Sequence, residues 1–317
     1  MIDLAIIIIN YRTPVMTAEC LESVLPEIKN ISSRIIVVDN DSGDNSIEYL
    51  ETWCGKNDHD SNITIIGSEH NLGFSGGNNL GINSVDAKYY LLLNSDTLLN
   101  KDSIISLISY ANNNPETGLI TPRLENIDGS AQECCFQYIT PMSEFLSAAR
   151  TGFIYRLFSR YVIPVPVVDA ITSPQWSSFA CVLIRKQVFD KIGLLDDGFF
   201  MYFEDTEFCY RARKAKWDII NLPASRVIHL GGMSSTLADD VKSNNRPPRY
   251  LYESRARYFY LLYGRAGLLA ANILWHLGRI ISKTIQVLGR SNKATPSMQW
   301  HDIWINFLDP LHNKRTR

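Results

Sequence analysis

The chain has 317 residues, 45% of them hydrophobic, with 31 Lys and Arg against 33 Asp and Glu and a formal net charge of −2. Length and composition describe an ordinary globular protein of one large domain, or of one domain with an appendage. The near-neutral charge excludes the strongly basic balance of a general nucleic-acid binder.

Met1-Ile2-Asp3 lacks the basic start of a signal peptide. Residues 4–9 are a short continuous apolar run, the pattern of a buried parallel strand. The run stops at Asn10, Tyr11 and Arg12, and Pro14 suits the first turn of a helix to about residue 28. A second strand, 34–38, ends in Asp39-Asn40-Asp41-Ser42-Gly43, and a helix is expected over about 45–54. A polar loop, 55–62, leads to a third strand at 63–67. The segment from Asn71 to Asn79, NLGFSGGNN, then opens a helix to about residue 84, and 89–93 form the fourth strand. The order β-α-β-α-β-α-β predicts a mostly parallel sheet covered by helices, with polar strand ends converging on one crevice.

The fourth strand ends abruptly in Asn94, Ser95 and Asp96. Asp96 there is suited to a divalent cation that bridges phosphates, or the three residues only make a turn and cap a helix at 101–112. Gly73, Gly76 and Gly77 stand where a strand gives way to a helix, allowing close backbone approach to a phosphate or sugar. Their spacing is not GxGxxG, and no GxxxxGK[ST] occurs, so dinucleotide-binding and P-loop readings lose ground.

Residues 124–174 are irregular, with a helix near 143–161, and read as an insertion over the crevice. A strand at 176–184 and a short helix from Lys186 follow. Glu204, Asp205 and Glu207 then gather at a helix start behind the apolar stretch 199–203. They either complement the helix dipole or supply a general base in a partly desolvated pocket. A short strand is expected at 218–221, and His229 after Val227-Ile228 is a structural residue or a ligand. The six cysteines show no CxxC spacing, and the adjacent pair Cys134 and Cys135 is poorly placed to bond internally. Reduced structural thiols and a cytosolic setting are expected.

Together, Ile9-Asn10-Tyr11, Val37-Val38-Asp39-Asn40, Asn71 to Asn79, Leu93-Asn94-Ser95-Asp96-Thr97, Phe200 to Asp205 and His229-Leu-Gly-Gly232 resemble the motifs of family-2 inverting glycosyltransferases with a GT-A fold. The similarity extends to the rhamnosyltransferase-like group that builds bacterial surface polysaccharides, and it covers about residues 1–235. The resemblance implies that Asp39 bonds the nucleobase beside Asn10 and Tyr11. It implies that Asn71, Gly73 and Asn78, with Asn94 and Ser95, line the nucleotide-sugar pocket. Asp96 would hold Mg²⁺ or Mn²⁺ on the diphosphate, with His229 as a second ligand. Asp205 would be the general base and Glu204 its positioning partner. Asn94 replaces the first Asp of a strict DxD, which lowers the charge offered to a metal. The implied donor is dTDP-L-rhamnose, or else a UDP-sugar for a galactofuranosyl, glucosyl or similar transferase. The implied acceptor is a lipid-linked or polymeric glycan, and the implied location is cytoplasmic, on the inner face of the membrane.

Residues 236–317 read as a helical extension of the 1–235 domain. Residues 250–263 are aromatic and basic. Arg265, Asn272, His276, Arg279, Lys283, Gln286 and Arg290 share one helical stripe on an otherwise apolar segment. Such a stripe suits an anionic membrane surface, or else packing on the chain's own domain or on a second copy in a homo-oligomer. No stretch reaches the apolar length of a membrane-spanning helix. The tail from Asn292, with Trp300, Trp304 and the basic end 314–317, reads as a second surface element or a frayed end. Two other readings compete. A sugar-nucleotide pyrophosphorylase should carry a Gly-rich basic loop where this chain has Asn10-Tyr11-Arg12-Thr13-Pro14. A non-catalytic nucleotide- or glycan-binding module would bind donors without turning them over.

Overall fold

The computed structural model of the protein describes residues 1–56, 62–231, 245–288 and 298–312. The chain forms two compact units: Met1–Cys135, Pro166–Phe200 and Glu204–Ser234 make the first, and Phe136–Val165, Met201–Phe203 and Ser235–Arg317 the second. Arg290, Gly232 and the basic end 314–317 lie outside the described residues.

In the first unit β1 (Ile2–Asn10), α1 (Pro14–Val24), β2 (Ser33–Asp39), α2 (Ser46–Lys56), β3 (Ile63–Gly67), α3 (Gly73–Asn83), β4 (Ala87–Asn94), β5 (Thr97–Leu99), α4 (Ser103–Asn113) and β6 (Thr117–Glu125) follow in turn. The two-residue strand β7 (Cys135–Phe136) leads into α5 (Pro141–Ala149) and α6 (Gly152–Leu157) of the second unit. The chain returns through β8 (Trp176–Ser177), β9 (Cys181–Arg185), α7 (Lys186–Ile192), α8 (Glu204–Lys214) and β10 (Asp218–His229). Eight strands form one sheet in the order β3-β2-β1-β4-β9-β6-β10-β5. β3, β2, β1 and β4 run parallel, as do β6 and β10. β9 lies antiparallel between β4 and β6, and β5 returns antiparallel along β10.

The central strands are apolar on both faces because helices cover both. Ile6, Ile7 and Ile8 of β1 and Leu91 and Leu92 of β4 are wholly buried. On one face Ile7, Val38, Leu92, Val182 and Ile219 pack with Phe208 and Phe189, whose rings meet at 5.6 Å.

Several elements differ from the sequence reading, each for a local reason. The first helix stops at Val24 and tightens into a 3₁₀ turn, Leu25–Ile28, where Pro26 lacks the N–H that an α-helix would use. β5 is three residues long, too short to show a pattern. β10 has twelve residues, not the four expected, because a register shift between Leu222 and Arg226 carries the strand past Pro223. The six cysteines are buried, with the sulfurs of Cys134 and Cys135 3.9 Å apart.

The second unit is built on α9 (Arg249–Val287), a long helix interrupted at Gly264, where φ is 69°, together with the short α10 (Gln299–Asp302). α9 packs along α5. A Cβ at Gly278 would crowd the Phe145 carbonyl and Ala148, so glycine sets how closely the two helices approach. For the polar stripe of α9 the sequence leaves a membrane surface and packing on the chain's own domain both open, and at Asn272 and Arg279, 0% and 2% exposed, the packed alternative holds, while Arg265 and Lys283 of the same stripe stay exposed. Arg255 explains the burial of Asn272: it donates to Asn272 Oδ1 at 2.7 Å and pairs with Glu144 of α5 at 2.7 Å. Arg279 lies over the Trp275 ring. Leu269, Ile273, Leu277 and Ile280, spaced 4, 4 and 3 residues apart, are each about 40–53% exposed instead. No described helix is long and apolar enough to cross a membrane.

Candidate active site

Three neighbouring parallel strands end at one level of the sheet. Asn10 and Asp39 are register partners, and Asn94 pairs with Ile9. Asn10 is wholly buried. Its amide donates to Asp39 Oδ2 at 2.6 Å and to Ser42 Oγ at 3.2 Å, and accepts from Thr17 Oγ1 at 2.8 Å. Asp39 also accepts from Ser42 N–H at 3.1 Å and from Ser42 Oγ at 2.6 Å. Asn10 therefore ties the ends of β1 and β2 together. Tyr11 is the exposed group at this corner, 38% accessible, with the Arg12 guanidinium 5.1 Å from its ring.

The start of α3 is held by Asn40, whose amide donates to Asn71 Oδ1 at 3.1 Å and to Gly73 O at 3.0 Å and accepts from Leu72 N–H at 2.9 Å. Gly73 has φ +68°, and a Cβ there would overlap the Phe200 carbonyl, so no other residue fits. Phe74 N–H donates to that same carbonyl at 2.7 Å, which fixes the segment leading to α8 against α3. Asn78 is buried and donates to Phe74 O at 2.9 Å, so its amide braces its own helix.

Asp96 is wholly buried in the turn from β4 to β5. Because β5 runs back along β10, Thr97 stands opposite His229, and Leu230 N–H donates to Asp96 O at 2.9 Å. His229 Nε2 then lies 3.6 Å from Asp96 Oδ1. The cap alternative for Asp96 fails. The first turn of α4 is served by Glu27, whose carboxylate accepts from Asp102 N–H at 2.9 Å and Ile104 N–H at 3.2 Å. Ser95 is buried with its Oγ 3.3 Å from Thr13 Oγ1, and the Asn94 carbonyl accepts from Thr97 Oγ1 at 2.6 Å. Among the described residues no three His, Cys, Asp or Glu side chains cluster around a common point. One carboxylate and one imidazole would suit a hard divalent ion, with Asp96 and His229 as the protein's two donors.

α8 begins with Glu204 and Asp205, and strain is concentrated at its entry, where Tyr202 and Phe203 both have φ of 70°. Glu204 is buried, and its Oε2 makes no hydrogen bond among the described residues. Burial, and then the adjacent Asp205, push its pKa well above the usual carboxylate range. Burial also raises Asp205, to about 6, against the opposing pull of Thr206, whose N–H donates to Asp205 Oδ1 at 2.7 Å. Glu207 belongs to the framework: Arg211 Nε donates to it at 2.7 Å while Arg211 also binds the carbonyls of Ile192 and Leu194.

The sequence reading missed Ser42, Asn40 and Gln132. Asn40 and Ser42 stood inside a quoted polar strand end. Gln132 follows the turn signal Asp128-Gly129-Ser130, which brings the chain back along β6, where Gln132 N–H donates to Leu124 O at 2.8 Å.

A sheet of this order, with acidic and amide groups on its carboxyl edge, is the GT-A fold of glycosyltransferases. The Glycosyl transferase family 2 profile matches residues 5–133. The low-salt glycan biosynthesis hexosyltransferase Agl10 of Haloferax volcanii is 32% identical over 239 residues, spanning 72% of this chain and 67% of that protein. The N-acetylglucosaminyl-diphospho-decaprenol L-rhamnosyltransferase of Mycobacterium tuberculosis is 24% identical over 188 residues, covering 53% of this chain and 59% of that one. Among solved structures, the mannosyltransferase PcManGT from Pyrobaculum calidifontis, in complex with GDP-Man and Mn²⁺, superimposes with a TM-score of 0.54 at 12% identity, over 98% of this chain and 88% of that one. The chain belongs to glycosyl transferase family 2, and it is a glycosyltransferase.

Proposed function

We propose that the protein transfers a sugar, with inversion, from a nucleotide-sugar to a hydroxyl of a lipid-linked or polysaccharide acceptor in surface glycan synthesis. dTDP-L-rhamnose is the first candidate donor, since one relative is a rhamnosyltransferase acting on a lipid diphosphate. UDP-sugars come next. The observation that carries the reading is the meeting of Asp96 and His229 on the carboxyl edge of the sheet. Neither residue is near the other in sequence, and both stand where open α/β sheets bind ligands.

Asp96 and His229 would hold Mg²⁺ or Mn²⁺, which supplies charge neutralisation to the departing diphosphate when bound; the solved mannosyltransferase carries Mn²⁺ with its donor. Tyr11 offers an exposed ring for the nucleobase beside Asp39. The two acids of α8 divide their roles by protonation. Burial favours the protonated form of Glu204, which can donate a hydrogen bond, while Asp205, raised to about 6, is ionised at neutral pH and can accept a proton. As the acceptor oxygen bonds to the anomeric carbon, its proton passes to Asp205. The carbon–oxygen bond to the diphosphate breaks on the opposite face, and nucleoside diphosphate leaves with the electron pair. Asn10 and Asn78 act as framework to this site.

Peripheral membrane binding belongs to the same proposal, on a different face of α9 from the one the sequence suggested. The second unit holds 16 Lys and Arg against 6 Asp and Glu, in a chain whose net charge is −2. Its exposed Leu269, Ile273, Leu277 and Ile280 offer an apolar face on a unit of net positive charge, a combination that suits an anionic bilayer.

The test is release of nucleoside diphosphate from a panel of dTDP-L-rhamnose and UDP-sugars with Mn²⁺. Release that requires a lipid-diphosphate glycan acceptor is expected with one donor. Donor binding without release under any acceptor would favour the non-catalytic binding module.

A further inference from the structure

Gln132 touches His229 twice. Its Nε2 donates to the His229 carbonyl at 2.7 Å and to Asn126 Oδ1 at 2.8 Å. Its Oε1 lies 3.0 Å from His229 Nδ1. A backbone carbonyl can only accept, so the amide nitrogen must face it, and reversing the amide would set two oxygens 2.7 Å apart. Both hydrogens of the Gln132 amide are then used, and the atom facing the imidazole is an oxygen with no proton to give. A hydrogen bond on that side exists only if Nδ1 carries the proton. A neutral imidazole protonated at Nδ1 has its lone pair on Nε2, and Nε2 is the atom 3.6 Å from Asp96 Oδ1.

The hairpin that delivers Gln132 is firmly built. Asn126 N–H donates to Ser130 O at 2.8 Å, Asp128 Oδ1 accepts from Ser130 N–H at 2.9 Å, and Glu125 bridges to Ala131. β6 is the parallel neighbour of β10, with Glu125 opposite Ile228, so the returning chain passes beside the end of β10.

We propose that Gln132 is a positioning residue that locks His229 in the Nδ1–H tautomer, turning the Nε2 lone pair toward the cation position beside Asp96. The inference rests on the reading of Asp96 and His229 as the metal site. A partner of this kind both orients a histidine ligand and fixes which nitrogen is free, and its loss costs about 10–100-fold in metal affinity. Glutamine suits the position because one amide both accepts from the ring and anchors the backbone of the same residue.

The test uses the full chain in two measurements. Long-range ¹H–¹⁵N spectra of histidine-labelled, metal-free protein report the tautomer, and titration calorimetry with Mn²⁺ in the presence of dTDP reports affinity. The parent should show His229 protonated at Nδ1 only. Q132L should shift it to the Nε2–H form and weaken Mn²⁺ about 10–100-fold. Q132E keeps an acceptor for Nδ1 but loses the donor to the His229 carbonyl, so it should retain the Nδ1–H form with an affinity between those of Q132L and the parent. Spectra and affinity of Q132L equal to the parent's, with D96A and H229A both weakened, would overturn the role of Gln132 alone. Undiminished Mn²⁺ affinity in D96A and H229A would remove the metal site itself and the role assigned to Gln132 with it.

Discussion

Two adjacent carboxyls in one desolvated turn cannot ionise together cheaply, and that sets the behaviour of Glu204 and Asp205. For catalysis the base must be unprotonated, so kcat/KM should climb about tenfold per pH unit below about 6 and level off above it. The same shift has a stability consequence of opposite sense. A carboxyl whose folded pKa is raised binds its proton more tightly folded than unfolded, so stability is full below about pH 4 and declines as pH rises toward 6. D205N removes the buried charge and keeps the acceptor for Thr206 N–H. Its Tm should exceed the parent's at pH 8, and the gain should vanish near pH 4. A flat kcat/KM between pH 5 and 8, with no Tm gain in D205N, would show that Asp205 is neither desolvated nor the base. The acidic cluster itself was legible in the sequence, but its division of labour was not. Glu207 looks equivalent to its neighbours on paper, and only the fold shows its i+4 partner Arg211 anchored in turn on the carbonyls of Ile192 and Leu194.

At the scale of elements, β1 to β4 were readable because each is a short apolar run closed by polar residues, and both faces of a parallel sheet are buried. β5 was not, and β10 only in its first four residues. The first has three residues, and the second crosses Pro223 on a register shift. Their antiparallel pairing is what delivers His229 to Asp96, so the motifs were visible while their meeting was not. α9 shows the opposite failure. Its polar stripe was seen, but which way the stripe faces was left open: Asn272 and Arg279 point inward, and Arg265 and Lys283 stay exposed. Charged residues usually face water, but Arg255 is paired inside the second unit, with Glu144 and with Asn272 Oδ1. Two exposed residues, Ile273 and Leu277, therefore carry the membrane prediction. I273D together with L277D should reduce sedimentation with phosphatidylglycerol vesicles at least tenfold at 0.1 M salt, while transfer to a water-soluble acceptor analogue stays unchanged. Undiminished sedimentation would leave this face without a bilayer role.

Across the whole molecule, charge is segregated in a way the near-neutral total conceals. The second unit is strongly cationic, so the first, which holds every proposed site residue, carries the compensating negative charge. An anionic diphosphate entering an acidic unit needs positive charge at the site, which is the physical reason a divalent ion is expected between it and Asp96. The sheet's parallel core and its polar carboxyl edge followed from sequence periodicity alone. The family resemblance supplied the roles, and the geometry adds what each side chain touches: Asn10 bonds Asp39 and Ser42, Asn78 bonds Phe74 O, and Gln132 bonds His229.

The central claim is that one carboxylate, Asp205, takes the acceptor proton in a single displacement. Steady-state transfer and donor affinity measured on D205N and E204Q test it most directly. D205N should bind donor as the parent does and lose about 10²–10⁴-fold in turnover, with E204Q much milder. A D205N enzyme turning over near the parental rate would contradict the account, and an inactive E204Q beside it would move the base one residue back.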